Sequence, residues 1–161
     1  MEVSVKKTNA MRLLDQQKIS YEVVSFEPEE DMTGVDVAHK NNLDVASVYK
    51  TLVTVAGRGE HFVFVIPVAR TLDLKAAAQV VGVKKLEMLP QRDLLPLTGY
   101  VHGGCSPFAM KKLFPTYLDE SAEDLNYIYV SGGKRGLQVG LDPQDVLKAT
   151  SGAFASISKG A

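Results

Sequence analysis

Tryptophan is absent from the 161 residues, cysteine occurs once and histidine three times. The lone Cys105 cannot close an intramolecular disulfide or supply a Cys-rich zinc site, so a reducing, cytoplasmic setting is expected. His39, His61 and His102 offer no i, i+4 pair of ligands, and neither a metal nor a cofactor is expected. No sign of charge dominates, because 18 Lys plus Arg stand against 19 Asp plus Glu for a formal net charge of −1. Proteins that wrap nucleic acid through many phosphates usually carry a basic excess, so any such contact here must be local. Paired cations at Lys6-Lys7, Lys84-Lys85, Lys111-Lys112 and Lys134-Arg135 allow a local patch, although solvated surface is the plainer reading. Glu27, Glu29, Glu30 and Asp31 cluster around Pro28 and would repel phosphate. No apolar run approaches the roughly 20 residues of a membrane span, and the first seven residues lack the apolar core of a signal peptide.

What is present is an ordinary globular composition, 45% hydrophobic and 23% charged, in a length that suits one domain over residues 1–161. Thr8 or Asn9 can cap a helix carrying Ala10, Leu13, Leu14 and Gln17, followed by a strand over Tyr21 to Phe26 and a helix over Val35 to Asn41. Val48 to Val55 and His61 to Ile66, joined by Ala56-Gly-Arg-Gly59, read as an antiparallel hairpin. Asp73 caps a helix with Leu74, Ala77, Ala78 and Val81 on one face and Gly82 at its end. Lys85 to Met88 and Pro115 to Leu118 read as short strands, and Pro90 and Pro96 bracket a brief helical or irregular piece. Tyr127 to Val130 and Leu137 to Leu141 form a second hairpin around a glycine-rich loop. Asp142 and Pro143 then open a last helix to about Thr150, with Gly152 after it. Hairpins interleaved with three or four helices, without regular βαβ alternation, give an α+β fold with a largely antiparallel or mixed sheet.

Three segments break this pattern. Lys50 interrupts an otherwise core-directed strand, where a lysine either snorkels to water or serves an anion. Gly99-Tyr-Val-His-Gly-Gly-Cys-Ser-Pro107 can aim backbone N–H groups at a carbonyl or phosphate oxygen, or can be a tight structural turn. Within it, Cys105 and His102 lie three apart without a protease signature around them, which argues against a cysteine nucleophile. Ser131-Gly-Gly-Lys-Arg-Gly136 lacks the Walker spacing and precedes a strand, so it is no NTPase loop, though its cations could touch a phosphate.

Together, Tyr49-Lys50-Thr51-Leu52, the Gly103 to Pro107 form of a GxxxP loop and Val130-Ser-Gly-Gly-Lys-Arg-Gly-Leu137 resemble, in order and spacing, the YbaK family of Cys-tRNA(Pro) deacylases. That family belongs with trans-editing domains related to the insertion domain of bacterial prolyl-tRNA synthetase, and the resemblance covers nearly the whole chain. It implies a mixed sheet curled toward a barrel with helices outside, and a pocket for the 3′ end of a charged tRNA. Lys50 carries over as the residue most tied to activity. Gly103, Gly104 and Ser106 carry over as the catalytic loop, with Cys105 and Pro107 beside the substrate. Tyr21, Tyr49, Thr51, Gly132, Gly133, Lys134 and Gln138 carry over as substrate-binding positions. Threonine at 51 resembles the cysteine editors, whereas alanine editors tend to carry asparagine. The implied mechanism uses the substrate's own thiol, so the protein needs no nucleophile. Docking on prolyl-tRNA synthetase would compensate for the weak overall charge. Two positions depart from the pattern: Thr33 stands where phenylalanine is frequent, and Gln138 where aspartate is frequent. These departures motivate two other readings, a non-catalytic module binding an aminoacyl-tRNA or nucleotide, and a deacylase for another small amino acid such as alanine.

Overall fold

The structure, a computed structural model, describes residues 6–57 and 59–160. Local capping sets where its helices begin. Helix α1 (Asn9–Gln16) starts at Thr8, whose hydroxyl accepts from the Met11 N–H at 3.2 Å, and it buries Ala10, Met11 and Leu14. Strand β1 (Glu22–Ser25) leads to α2 (Gly34–Lys40), which opens with a capping box. There the Thr33 hydroxyl accepts from the Asp36 N–H while the Asp36 carboxylate accepts from the Thr33 N–H. Strands β2 (Tyr49–Ala56) and β3 (Glu60–Pro67) form the expected hairpin, with Lys50 opposite Ile66. After β4 (Thr71–Leu72), Asp73 caps α3 (Leu74–Val81), and Gly82 closes it in the left-handed region at φ 77°.

The remaining elements are β5 (Leu86–Met88), α4 (Gln91–Thr98), β6 (Thr116–Asp119), β7 (Ile128–Ser131), β8 (Leu137–Leu141), α5 (Pro143–Thr150), β9 (Ala153–Ala155) and β10 (Ser158–Lys159). Pro143 sits in the first turn of α5 and Gly152 follows the helix, as expected, while the left-handed cap between them is Ser151 at φ 55°. The bracketed proline piece is a true helix, with Pro96 inside it.

Five strands make one sheet in the order β5-β2-β3-β6-β9, three make a second in the order β1-β8-β7, and β4 pairs with β10. Pairing is antiparallel except for β3 with β6 and β6 with β9, which run parallel. The α+β class with a mixed sheet therefore stands, but the curl toward a barrel stops short and the sheets stay open. The edge strands β5 and β9 are three residues each, and Pro90 shortly after β5 has no N–H with which to extend a ladder. A lone parallel bridge, Val48 to Tyr129, links the two larger sheets.

Central β3 is buried on both faces and reads as a continuous apolar run. Phe62, Phe64 and Ile66 pack with Ala77, Ala78 and Leu86 under α3, while Val65 faces a cluster with Leu118, Ile128, Leu137 and Leu141 that α1 and α5 cover. Each such side chain contributes about 1.5–3 kcal/mol by leaving water. This packing fixes the ends of β2 and of the β7–β8 hairpin, between which the cavity lies.

Candidate active site

A cavity of about 240 Å³ opens where these pieces meet. Its floor is the first half of β2, Tyr49 to Leu52. One wall is the start of α2, with Met32, Thr33, Gly34 and Val37, backed by Val68 just past β3. The facing wall is the glycine-rich loop with His102, Gly103 and Cys105, and Ser131 and Gln138 close it from the β7–β8 hairpin. Gly34 is required by a close approach, since a Cβ there would stand 2.4 Å from Val68 Cγ1.

Lys50 is half-buried on this floor. Its Nζ reaches only one long hydrogen bond, 3.5 Å to the Val68 carbonyl, and it joins no ion pair among the described residues. Burial lowers its pKa from the ordinary lysine value. Beside it, Thr51 Oγ1 and Gln138 Oε1 are buried without a hydrogen-bond partner among the described residues, and Gln138 is only 8% exposed. Unpartnered buried oxygens cost about 1–3 kcal/mol each, which binding of a donor-bearing ligand would relieve.

The structure joins two segments that the sequence leaves far apart. A Cβ on Gly104 would lie 2.8 Å from the Arg135 nitrogen and 2.9 Å from Lys134 backbone atoms, so the glycine-rich loop rests directly on the Ser131–Gly136 loop. Gly104 thus lies behind the cavity, and its N–H donates to the Val101 carbonyl at 3.0 Å. The N–H groups of Gly103 and Cys105 meet no backbone acceptor among the described residues.

Tyr49, Lys50, Thr51, Gly103, Cys105 and Gln138 line the cavity; the other expected positions do not. Ser106 is fully buried, and its hydroxyl accepts from the Phe108 N–H at 3.2 Å, which makes it a brace for the loop. Pro107 faces a different depression, beside α1 and α5. The Tyr21 hydroxyl donates to Asp15 at 3.0 Å. The Gly132 carbonyl accepts from Thr8, the Gly133 N–H donates to the Ser131 hydroxyl, and Lys134 is exposed. Sequence reasoning missed the apolar walls Met32, Val37, Val68 and Leu94, for which no motif signal exists.

Cys105 touches the cavity, but burial pushes its thiol up to about 12. At neutral pH it is a thiol, not a thiolate, and the thiolate is the nucleophile. Cys105→Ala is therefore expected to keep kcat/KM for any hydrolysis here within about threefold, since no bond to sulfur is made. A drop of two orders of magnitude with an unchanged melting curve would restore Cys105 as nucleophile.

An open α+β fold thus holds a small cavity built around a half-buried lysine and a glycine loop, with a thiol that burial keeps protonated. The model of the aminoacyl-tRNA editing domain matches residues 28–149, and the chain belongs to that family. Over 154 residues the chain is 46% identical to an Enterococcus faecalis protein, EbsC, named as a Cys-tRNA(Pro)/Cys-tRNA(Cys) deacylase. The match covers 95% of this chain and 94% of that one. A solved structure described as a trans-editing enzyme for prolyl-tRNA synthetase aligns with a TM-score of 0.82 at 24% identity, over 97% of this chain and all (100%) of its own. A hypothetical protein aligns at 0.86 and 20% identity, over 94% of this chain and 100% of its own. At such identities these two show the fold alone. The family resemblance carried by the three motifs thus holds.

Proposed function

We propose that this chain deacylates Cys-tRNA(Pro) with the substrate's own thiol as the attacking group. The observation that carries this reading is a cavity that pairs a free lysine cation with unsatisfied oxygen acceptors and offers no ionised nucleophile. The identity to a named cysteinyl-tRNA deacylase supports the same substrate. A cavity of about 240 Å³ lies below the roughly 300 Å³ of sites for drug-sized ligands and suits a small aminoacyl group.

In this mechanism the cysteinyl sulfur bonds to its own ester carbonyl carbon, and the bond from that carbon to the ribose oxygen breaks. The thiol proton ends on the departing ribose oxygen, leaving a free tRNA 3′ end and a cysteine thiolactone that water then opens. The Gly103 and Cys105 N–H groups are the donors available to the developing oxyanion, and the Lys50 ammonium stands where negative charge grows or where the terminal phosphate enters. Thr51 and Gln138 accept from the amine or hydroxyl donors of the substrate and so hold the thiol close to the carbonyl. Positioning of this kind is worth about 7–11 kcal/mol when two reacting groups are well aligned. The setting we assign is the cytoplasm, where Cys105 stays reduced, with docking on prolyl-tRNA synthetase delivering the 3′ end at high effective concentration.

The test is hydrolysis of Cys-tRNA(Pro), Ala-tRNA(Pro) and Pro-tRNA(Pro) by the purified protein. Loss of the cysteinyl ester at least about 10²-fold faster than the others is expected, because only that ester carries an internal nucleophile. Equal loss of the alanyl ester would remove the thiol mechanism, and stability of all three would make the protein a binding module.

A further inference from the structure

Outside the cavity, a group of exposed charges stands on and beside its joined loops. The loop Gly99 to Pro107 and the loop Ser131 to Gly136 rest on each other, and both contribute to the cavity lining through His102, Gly103 and Ser131. Their outer edge carries Lys111, Lys134 and Arg135, all exposed. A Cβ on Gly99 would lie 3.5 Å from Lys111 Cγ, and the Gly103 position is as near, 3.4 Å, to Arg135 Cγ, so these cations flank the loop that walls the cavity. None of the three joins an ion pair among the described residues. Lys111 Nζ reaches only the Pro96 carbonyl at 3.4 Å, and Arg135 is steadied by the Glu29 carbonyl rather than by a carboxylate. Glu29, Glu30, Asp31 and Asp36 surround a separate depression that meets the cavity at Met32, and Arg135 borders it through its bond to Glu29, while Lys111 and Lys134 line no part of it.

A chain with a net charge of −1 therefore holds exposed cations without ion pairs, among the described residues, on the rim of its cavity. We propose that Lys111, Lys134 and Arg135 form a phosphate track for the single-stranded 3′ end of the tRNA, which enters over the two joined loops. The inference rests on the reading of the cavity as an aminoacyl-ester site, and it adds the path of the strand that carries the ester. Exposed cations suit it, because lysine offers a point charge on a flexible stem and arginine a planar fork, and contacts of either kind to phosphate position a strand without reading its sequence. The track is sequence-neutral, so tRNA identity is not read here.

The salt dependence of kcat/KM for Cys-tRNA(Pro) tests this. Three phosphate contacts on a single strand give a slope of log kcat/KM against log salt of about −2. Lys111→Gln together with Lys134→Gln is expected to bring that slope to about −0.7, with the loss falling on KM. Lys84→Gln, on the far turn before β5, should leave the slope at the wild-type value. An unchanged slope in the double variant, or an equal change in Lys84→Gln, overturns the track. Should the wild-type protein hydrolyse no Cys-tRNA at all, the ester-site reading fails by itself. Binding of a short uncharged RNA ending in CCA, followed by fluorescence anisotropy against salt, then decides the track with the same variants and the same expected slopes.

Discussion

Lys50→Ala is expected to lower kcat/KM for deacylation by about 10²- to 10³-fold, the loss typical when one charge-stabilising group leaves a site shielded from water. No other lysine or arginine among the described residues lines the cavity. The fold should not suffer. Lys50 makes one long hydrogen bond and no ion pair among the described residues, and burial works against its charge. Its folded-state pKa lies below the unfolded one, so the unfolded chain holds the proton more tightly. The resulting destabilisation is fully present at pH values below the lowered pKa and is relieved as pH rises from there to the ordinary lysine value. Lys50→Met, which keeps the stem and removes the charge, is accordingly expected to melt at or above the wild-type temperature at pH 7 while losing activity as Lys50→Ala does. A thermal melt beside a single-turnover assay reads both. Retained deacylation would sink Lys50's role, and a collapsed melting curve in both variants would make the residue structural.

The second large effect belongs to Gly104→Ala, a single methyl group far smaller than the lysine truncation. That methyl would stand 2.8 Å from the Arg135 nitrogen, a backbone atom of a loop pinned by the β7–β8 ladder and by the Thr8 to Gly132 hydrogen bond. Neither loop can yield by turning a side chain, so the two must part. Overpacking of this kind costs about 1–3 kcal/mol, which for a chain of this size lowers the melting temperature by about 2–12 °C. Because Gly103 and Cys105 ride on the displaced loop, a shift of about 1 Å is expected to cost about 10²-fold in kcat. Gly57→Ala is the control, since nothing lies within 4 Å of its added methyl. If Gly104→Ala keeps both stability and turnover, the contact between the loops does not hold the site.

The parts of this protein legible in its sequence are those set by short-range chemistry. Thr8, Asp73 and Asp142 each accept from a backbone N–H within three residues, so helix starts could be placed to within a residue. Lys50 stood out because a charge interrupted an apolar strand. Strands β4, β9 and β10, at two or three residues, are too short to show alternation, and the parallel pairing of β6 depends on partners more than 50 residues away in β3. The cavity's apolar walls were invisible for a related reason: Val37, Val68 and Leu94 look like any core residue until the fold brings them to one hollow. The place of Ser106 was just as illegible, because a hydroxyl in a glycine loop suggests chemistry whether it faces the cavity or, as here, folds inward onto the Phe108 N–H.

Strand β1 pairs with β8, so residues 22–25 wait for residues 137–140 before their ladder can form. Ser131 and Gln138 close the cavity from the β7–β8 hairpin, so Lys50 and the glycine loop border a hollow only once strands more than 100 residues apart in the chain have met. Pairings this distant go with high contact order and slow folding, so the cavity belongs to the late, cooperative part of the fold rather than to any local piece of it.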